Sequence, residues 1–214
     1  LKGQISVIPR SVFSHFVGSD SEGFDSFSQI QSERFRVASD TLQAAFSHKI
    51  LRHICNSAGI ERFPERQMEM VRLGLGLYGV SPIDNHIMHN VSTLKTTILQ
   101  IHDVPADETV GYSRRGELTR PSRIAALPIG YADGLSRVLS GNLSVNIGGR
   151  EVKLIGRICM DLCMADLGDI PCKPGDEAVI FDSPEKIEEM AAKMGTINYE
   201  VICSLKKRVA IEYV

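Results

Sequence analysis

The sequence predicts an α/β segment followed by an all-β segment, meeting near residue 90. In residues 1–90, short apolar runs alternate with a long helical pattern, the βα repeat of a parallel sheet or part of a barrel. From Val91 onward, strand-like runs follow one another, separated by turn signals such as Gly141-Asn142, Gly148-Gly149 and Pro174-Gly175-Asp176. Between the two, the polar stretch Asp84–Asn90 marks a boundary, which gives domains 1–90 and 91–214.

In the first segment, Ser11-Val12-Phe13-Ser14-His15-Phe16 reads as a short buried strand. A Gly-Ser-Asp-Ser-Glu-Gly loop follows, in which Asp20 or Ser21 is placed to cap the next helix. Phe24, Phe27, Phe35, Ala38, Leu42 and Ala45 then recur at helical spacing, with polar Gln31 in the same stripe. Ile50–Cys55 is predicted as a second strand and Asn56-Ser57-Ala58-Gly59 as its exit loop. Met70-Val71-Arg72 is predicted as a third, leading into Leu73-Gly74-Leu75-Gly76-Leu77-Tyr78-Gly79. In a barrel, ligands meet the loops after the strands, and phosphate commonly binds after the last two. Those loops would be Asn56-Ser57 and Gly74-Leu75, where backbone N–H groups and the Ser57 hydroxyl suit a phosphate dianion. The glycine alternation also fits plain close packing of backbones. His15 and His53 fall within strands, where a histidine is more often a satisfied core residue than a catalytic one.

In the second segment the expected strands are Leu94–Ile101, Arg123–Ile129, Leu143–Ile147, Val152–Ile158, Cys163–Asp166 and Glu177–Phe181. Ser183-Pro184-Glu185 starts a helix that runs to Met194 and stops at Gly195. A final strand over Arg208–Tyr213 would close the domain. The stretch Ala126–Arg137 begins as a strand and turns sharply at Gly130-Tyr131-Ala132-Asp133-Gly134. Its two glycines permit positive φ while Tyr131 and Asp133 point to one side. Taken alone it is an ordinary Asp-Gly hairpin; at a strand end it is also a place to present polar groups to a ligand.

Composition excludes several classes. With 214 residues, 43% hydrophobic and 23% charged, the chain is an ordinary globular one, long enough for one large domain or two small ones. A formal charge of −2 gives no footprint for nucleic acid or an anionic membrane. No apolar run approaches a membrane span, and the start lacks the layout of a signal peptide. Five cysteines, odd in number and scattered, read as reduced and mostly buried thiols of a cytoplasmic protein. Cys159 and Cys163 bracket Asp161, and His86-x-x-His89 lies in a polar connection, but neither has a second pair at ligand spacing, so no metal is expected. Leu1 opens without methionine, close to a strand, as expected of a fragment of something longer.

Val110-Gly111-Tyr112-Ser113, Gly130-Tyr131-Ala132-Asp133-Gly134, Ile158-Cys159-Met160-Asp161 and Thr196-Ile197-Asn198-Tyr199-Glu200 occur in this order. Together they resemble the carboxy-terminal half of the bacterial alanine racemases, enzymes that use pyridoxal 5'-phosphate. The resemblance runs from Phe13-Ser14-His15-Phe16 to Lys207-Arg208-Val209. It implies the last strands of an incomplete, cofactor-binding (β/α)8 barrel followed by a β-barrel-like carboxy-terminal domain. It also implies a homodimer with the active site shared between subunits, acting on alanine and supplying D-alanine for peptidoglycan.

Carried over residue by residue, the resemblance makes Asn56, Ser57, Gly74 and Leu75 the phosphate loops and Tyr199 a phosphate-binding hydroxyl. Arg72 matches the residue facing the pyridine nitrogen, and Tyr112 the tyrosine base. Met160, Asp161 and Tyr131 match the substrate end, and His15 and His53 a hydrogen-bond chain through tyrosine and arginine. The chemistry makes these types intelligible. Racemisation removes a Cα proton from one face and returns it to the other, with the cofactor as electron sink. An arginine, always protonated, does not readily give a ring nitrogen its proton. A tyrosine base needs neighbouring cations or hydrogen bonds to hold its phenolate.

One departure is plain: the family's Schiff-base lysine lies in a Lys-Ala-x-Ala-Tyr-Gly motif that this chain does not contain. A substrate-contacting arginine from mid-barrel is also missing, so the chain is expected to carry half an active site and to be inactive alone. Competing readings are a racemase of broader or serine specificity, a pyridoxal-phosphate decarboxylase of basic amino acids, and a non-catalytic dimerisation module. The Gly-Tyr-Ala-Asp-Gly and Ile-Cys-Met-Asp motifs argue against the decarboxylase. Retention of Tyr112, Arg72 and Met160 together argues against pure scaffolding.

Overall fold

A computed structural model describes residues 2–4 and 6–214. The chain divides into two compact units, Leu1–Val91 and Ser92–Val214. In the first, strand β1 (Ser11–Phe13), helix α1 (Asp25–Ala44) and strand β2 (Leu51–His53) form one βαβ unit. β1 and β2 are parallel, with Val12 beside Arg52 and Phe13 beside His53. β1 ends three residues earlier than expected, because the Ser14 carbonyl accepts from Arg72 Nη2 at 2.8 Å rather than from a neighbouring strand. His15 therefore lies beyond the strand, not within it.

The expected third strand at Met70–Arg72 does not form. Its one ladder bond runs from Arg72 N–H to Cys55 O at 3.0 Å. Arg52 N–H, which a third strand would need, instead donates to the Glu69 carboxylate at 3.0 Å. Met68 enters this segment with φ 49°, a left-handed conformation that breaks the extended run. The expected exit loop after β2 also differs: helix α2 (Ser57–Arg62) starts there, with the Asn56 side chain accepting from Gly59 N–H.

Helix α1 forms, but neither Asp20 nor Ser21 caps it by a side chain; a single 3-10 turn over Glu22–Phe24 leads in. Its buried face is Ser28, Ser32, Phe35 and Ser39, while Phe24 and Phe27 of the expected stripe are more than half exposed. Phe35 packs with Phe16, Ile54 and Cys55, and the serines keep the rest of that face slim. Gln31, the polar residue of the expected stripe, is half-buried and donates to the His15 carbonyl at 2.6 Å.

Arg52 ties β2 to Asp40 on α1 and, through Nε and Nη2, to Glu69. That guanidinium holds the Glu69 carboxyl down at about 2. Because the folded value is depressed, the contribution is whole above about pH 4.5 and is lost as pH falls towards 2. Glu69→Gln is expected to cost about 2–3 kcal/mol at neutral pH and to flatten the acid loss of stability. Urea unfolding at pH 7 and pH 3 measures this; equal midpoints for both proteins at pH 7 would contradict it.

The second unit is built on β3 (Leu94–Thr97), β4 (Gln100–Val104), β7 (Ser122–Leu127), β8 (Ser144–Ile147), β9 (Arg150–Ile155), β10 (Cys163–Asp166) and β11 (Glu177–Phe181), with β5 (Thr109–Val110) and β6 (Gly116–Glu117) as a separate antiparallel pair. The seven pair antiparallel in the order β3-β11-β8-β9-β10-β7-β4. The two edge strands are consecutive in the chain. Ile98 N–H donates to Asp176 O at 2.8 Å, and Leu99 N–H to Ala126 O at 2.9 Å, so one run pairs first with β11's side and then with β7. The sheet therefore curls back on itself at this corner, where one continuous run is shared by its two ends, which makes it barrel-like. The single strand expected over Leu94–Ile101 is this run with a corner in it. Inward side chains such as Leu127, Val145, Leu154, Ala165 and Ile180 are wholly buried.

Helix α3 (Pro184–Met194) starts and stops as expected, with Ser183 accepting from Lys186 N–H and Gly195 at φ 68°. Helix α4 (Asn198–Cys203) was not expected from the sequence. The final strand over Arg208–Tyr213 does not form. Lys206 N–H donates to Asp133 O and Val209 N–H to Lys206 O, both at 3.0 Å, so the chain turns there, and Ile211 and Tyr213 stay exposed.

Among the described residues no helix is long and apolar enough to cross a membrane, and no group of three or more His, Cys, Asp or Glu is placed to hold a metal. All five cysteines are free, but only Cys55 and Cys163 are buried; Cys159 and Cys172 are half-buried and Cys203 is exposed. Burial pushes the Cys55 thiol up to about 11 and Cys163 to about 12. A thiol reagent at pH 8 should therefore modify Cys203 first and leave Cys55 and Cys163 protected until unfolding. Early labelling of Cys163, read by peptide mass, would contradict this burial.

Candidate active-site residues

In the first unit, the fold brings Arg72, His53 and His15 together. Cys55 O takes the Arg72 N–H, which places its side chain across the ends of β1 and β2. Arg72 Nη1 lies 2.6 Å from His53 Nδ1, and Nη2 lies 3.1 Å from His15 Nδ1. Nη2 also donates to the Ser14 carbonyl, and Nη1 to that of His53 at 3.2 Å. The guanidinium stands 5.3 Å over the Phe13 ring, which itself stacks on His53.

Arginine has only donors, so both Nδ1 atoms must accept and the histidines must carry their protons on Nε2. Burial, and then the Arg72 charge, lower the His53 pKa, which keeps it neutral for this task. His53 Nε2 is buried and has no partner among the described residues. No carboxylate pairs with Arg72 among those residues, so all its acceptors are neutral and its charge is left for an anion or a lone pair. Phe13, expected in a buried strand, is 65% exposed, and neither its stacking on His53 nor the Ser14 carbonyl's bond to Arg72 leaves a local signal in the sequence.

The two phosphate-type loops also meet. Gly74 N–H donates to Ser57 Oγ at 3.1 Å, which leaves the Ser57 hydroxyl proton free to donate. Ser57 and Leu75 are each only 2% exposed, so both loops are fixed in the body of the unit. Asn56 is committed to holding them: its Oδ1 accepts from Gly59 N–H and Ser19 Oγ, and its Nδ2 donates to Phe16 O.

In the second unit, Tyr112 is 70% exposed on a single 3-10 turn, Tyr112–Arg114. Ser113 and Arg114 take φ 58° and 53°, rare for residues with a Cβ and costing about 1 kcal/mol each. Arg114 Nε donates to Thr109 Oγ1 at 3.1 Å and holds the turn.

Tyr131, Met160 and Asp161 are brought together by backbone bonds. Tyr131 N–H donates to Cys159 O at 3.0 Å and Ala132 N–H to Met160 O at 2.9 Å. Of the two glycines in the turn, Gly134 meets the expectation of positive φ and Gly130 does not. Gly134 takes φ 114°, whereas a Cβ on Gly130 would stand 2.3 Å from Met160 O, so Gly130 serves close approach. Nor do the two side chains point one way: Tyr131 is exposed, while Asp133 is turned inward and its Oδ2 accepts from Gly130 N–H at 2.8 Å. Asp133 Oδ1 pairs with Arg208, which also reaches Asp161. Arg208 was not among the candidate residues; a buried Asp in the turn demands a cation, but the sequence does not say which. Tyr199 lies on α4, 41% exposed.

These two sets of residues can be compared with known proteins. The family model described as alanine racemase, N-terminal domain, matches residues 1–82, and the one described as alanine racemase, C-terminal domain, matches residues 91–213. Alanine racemase 1 of Clostridium acetobutylicum is 41% identical over 98% of this chain and 56% of its own length. Among solved structures, the alanine racemase of Clostridium difficile 630 in complex with cycloserine has a TM-score of 0.86 at 35% identity, covering 94% of this chain and 55% of that one. Alanine racemase from Bartonella henselae with covalently bound pyridoxal phosphate has a TM-score of 0.83 at 29% identity, covering 96% and 56%. The chain thus spans little more than half the length of these relatives. Matched from end to end by both of that family's domain models and by its solved folds, this chain belongs to the alanine racemase family.

Proposed function

We propose that the full-length protein interconverts L- and D-alanine with pyridoxal 5'-phosphate, by a two-base mechanism. The observation that carries this is Arg72, a guanidinium held by two histidine nitrogens and backbone carbonyls beside two loops joined through Ser57. The residues fit the cofactor: Ser57 keeps a free donor proton beside Gly74 and Leu75 for its phosphate, and Arg72 has no anionic partner of its own among the described residues. When bound, the cofactor supplies the electron sink that makes the amino acid's Cα–H acidic.

Arg72 keeps its proton, because the His53 and His15 Nδ1 atoms only accept from it and do not relay another. Held charged in this way, Arg72 would give no proton to a cofactor bound beside it, which would temper the electron sink and favour return of a proton over side reactions. Tyr112 takes or returns the proton on the face of L-alanine, and its exposed hydroxyl is available for that contact. Tyr131, Met160 and Asp161 bound the substrate end, and Tyr199 adds a hydroxyl to the phosphate. Ser57, Gly74, Leu75 and Asn56 hold the phosphate loop. The second unit acts on the partner's barrel in a homodimer, and the free thiols suit a cytoplasmic enzyme supplying D-alanine for peptidoglycan.

Offering the full-length protein L-alanine, L-serine and L-ornithine with the cofactor tests this reading. Fastest appearance of D-alanine is expected. Faster D-serine would assign a broader racemase, a diamine from ornithine a decarboxylase, and no product from any of the three a binding module.

A further inference from the structure

We propose that Arg208 is a positioning residue that clamps the Met160-Asp161 loop against the Gly130–Gly134 turn. This rests on the reading of Tyr131, Met160 and Asp161 as the substrate end. Arg208 Nε lies 2.9 Å from Asp133 Oδ1 and its Nη2 2.9 Å from Asp161 Oδ1, so one planar guanidinium forms ion pairs with both loops. The loops are otherwise joined by the two backbone bonds from Tyr131 and Ala132.

Neither carboxylate has another cation among the pairs formed by the described residues. Asp133 is 8% exposed, so its charge needs this partner to stay where it caps Gly130 N–H. Asp161 is half exposed at the outer end of its loop, and Arg208 restrains it from swinging into solvent. The fork itself is anchored, since Lys206 N–H donates to Asp133 O and Ser204 Oγ to Gly134 O. Tyr131 and Met160, both exposed, are therefore set by an arginine that lies outside either motif.

Removing the guanidinium altogether strands the Asp133 charge and risks misfolding, so Arg208→Lys and Asp161→Asn are the variants of choice. Lysine keeps a charge for Asp133 but, as a point charge, does not fork to both loops. Amide hydrogen exchange on the full-length protein reads the clamp directly at Tyr131 and Ala132, whose N–H groups span the loops. Both variants are expected to raise exchange there by about tenfold or more, with the β7–β10 ladder unchanged. The KM for L-alanine should rise about fivefold or more while kcat changes less. Unchanged exchange, a uniform rise across the sheet, or local loosening with unchanged KM would each overturn the proposal. Absence of alanine turnover in the unsubstituted protein would instead defeat the functional reading, and the exchange result would still judge the clamp.

Discussion

Tyr112→Phe in the full-length protein is expected to lower racemisation about 10³-fold in both directions. The change removes one hydroxyl and keeps the ring, so a loss of this size measures proton transfer rather than packing. The site is suited to the test, because Tyr112 is 70% exposed and contributes little to the core of its own unit. Its thermal midpoint should move by less than about 2 °C, since surface substitutions away from special features are near neutral. The two enantiomers should then part company. Each complete turnover needs both bases, but exchange of the Cα hydrogen needs one. The variant should still wash deuterium into D-alanine with retained configuration, through the lysine of the family's barrel motif, while exchange from L-alanine collapses. Near-normal racemisation, or equal loss of exchange from both enantiomers, would contradict the role given to Tyr112.

Arg72→Met is expected to be the most damaging single change in the first unit. It leaves the Ser14 carbonyl and two histidine Nδ1 atoms without their donor, and the His53 carbonyl with the Ser14 N–H alone. Hydrogen bonds to a charged group contribute about 1.5–3 kcal/mol each, and partial rehydration recovers some of that, so a net loss of about 3–4 kcal/mol follows. Arg72→Lys should restore part of the stability without the geometry, because an ammonium cannot reach both histidines in one plane. Equilibrium unfolding separates the three proteins. The same curves carry a pH signature. With the His53 pKa lowered in the folded chain, the unfolded chain binds the proton first, so stability falls as pH drops below about 6.5. Removing Arg72 removes part of what depresses that pKa and should shrink this slope. Identical slopes with and without the guanidinium would show that burial alone sets the His53 state.

What could be read from the sequence was whatever is specified locally. β10 and β11 form over the expected residues because each alternates or packs within a handful of positions. α3 is bounded by its own Ser183 cap and Gly195. The failures lie where a distant partner decides. Met70–Arg72 has strand-like residues, but Glu69 takes the Arg52 N–H that a third strand needs. Arg208–Tyr213 has a strand-like pattern, but Arg208 is claimed by two carboxylates and the chain turns. The apolar stripe expected along α1 holds at Phe35 but fails at Phe24, Phe27 and Ala38, because serines, which carry no hydrophobic signal, form most of the buried face. The Asn56-Ser57 and Gly74-Leu75 loops were legible from the βα repeat, and the other candidate site residues only through the ordered motifs. The Ser57–Gly74 bond and the Arg72 fork join residues 17 and 19 positions or more apart, which no periodicity reveals.

The central claim is that these residues serve reversible proton transfer at the Cα of alanine. Its most direct test is to incubate the full-length protein with pyridoxal phosphate and pure L-alanine in deuterated water. Enantiomer ratio and Cα label are then followed together. The account predicts equal amounts of D- and L-alanine at equilibrium, with every newly formed D-alanine carrying deuterium at Cα. L-alanine that keeps both its configuration and its Cα hydrogen would contradict it.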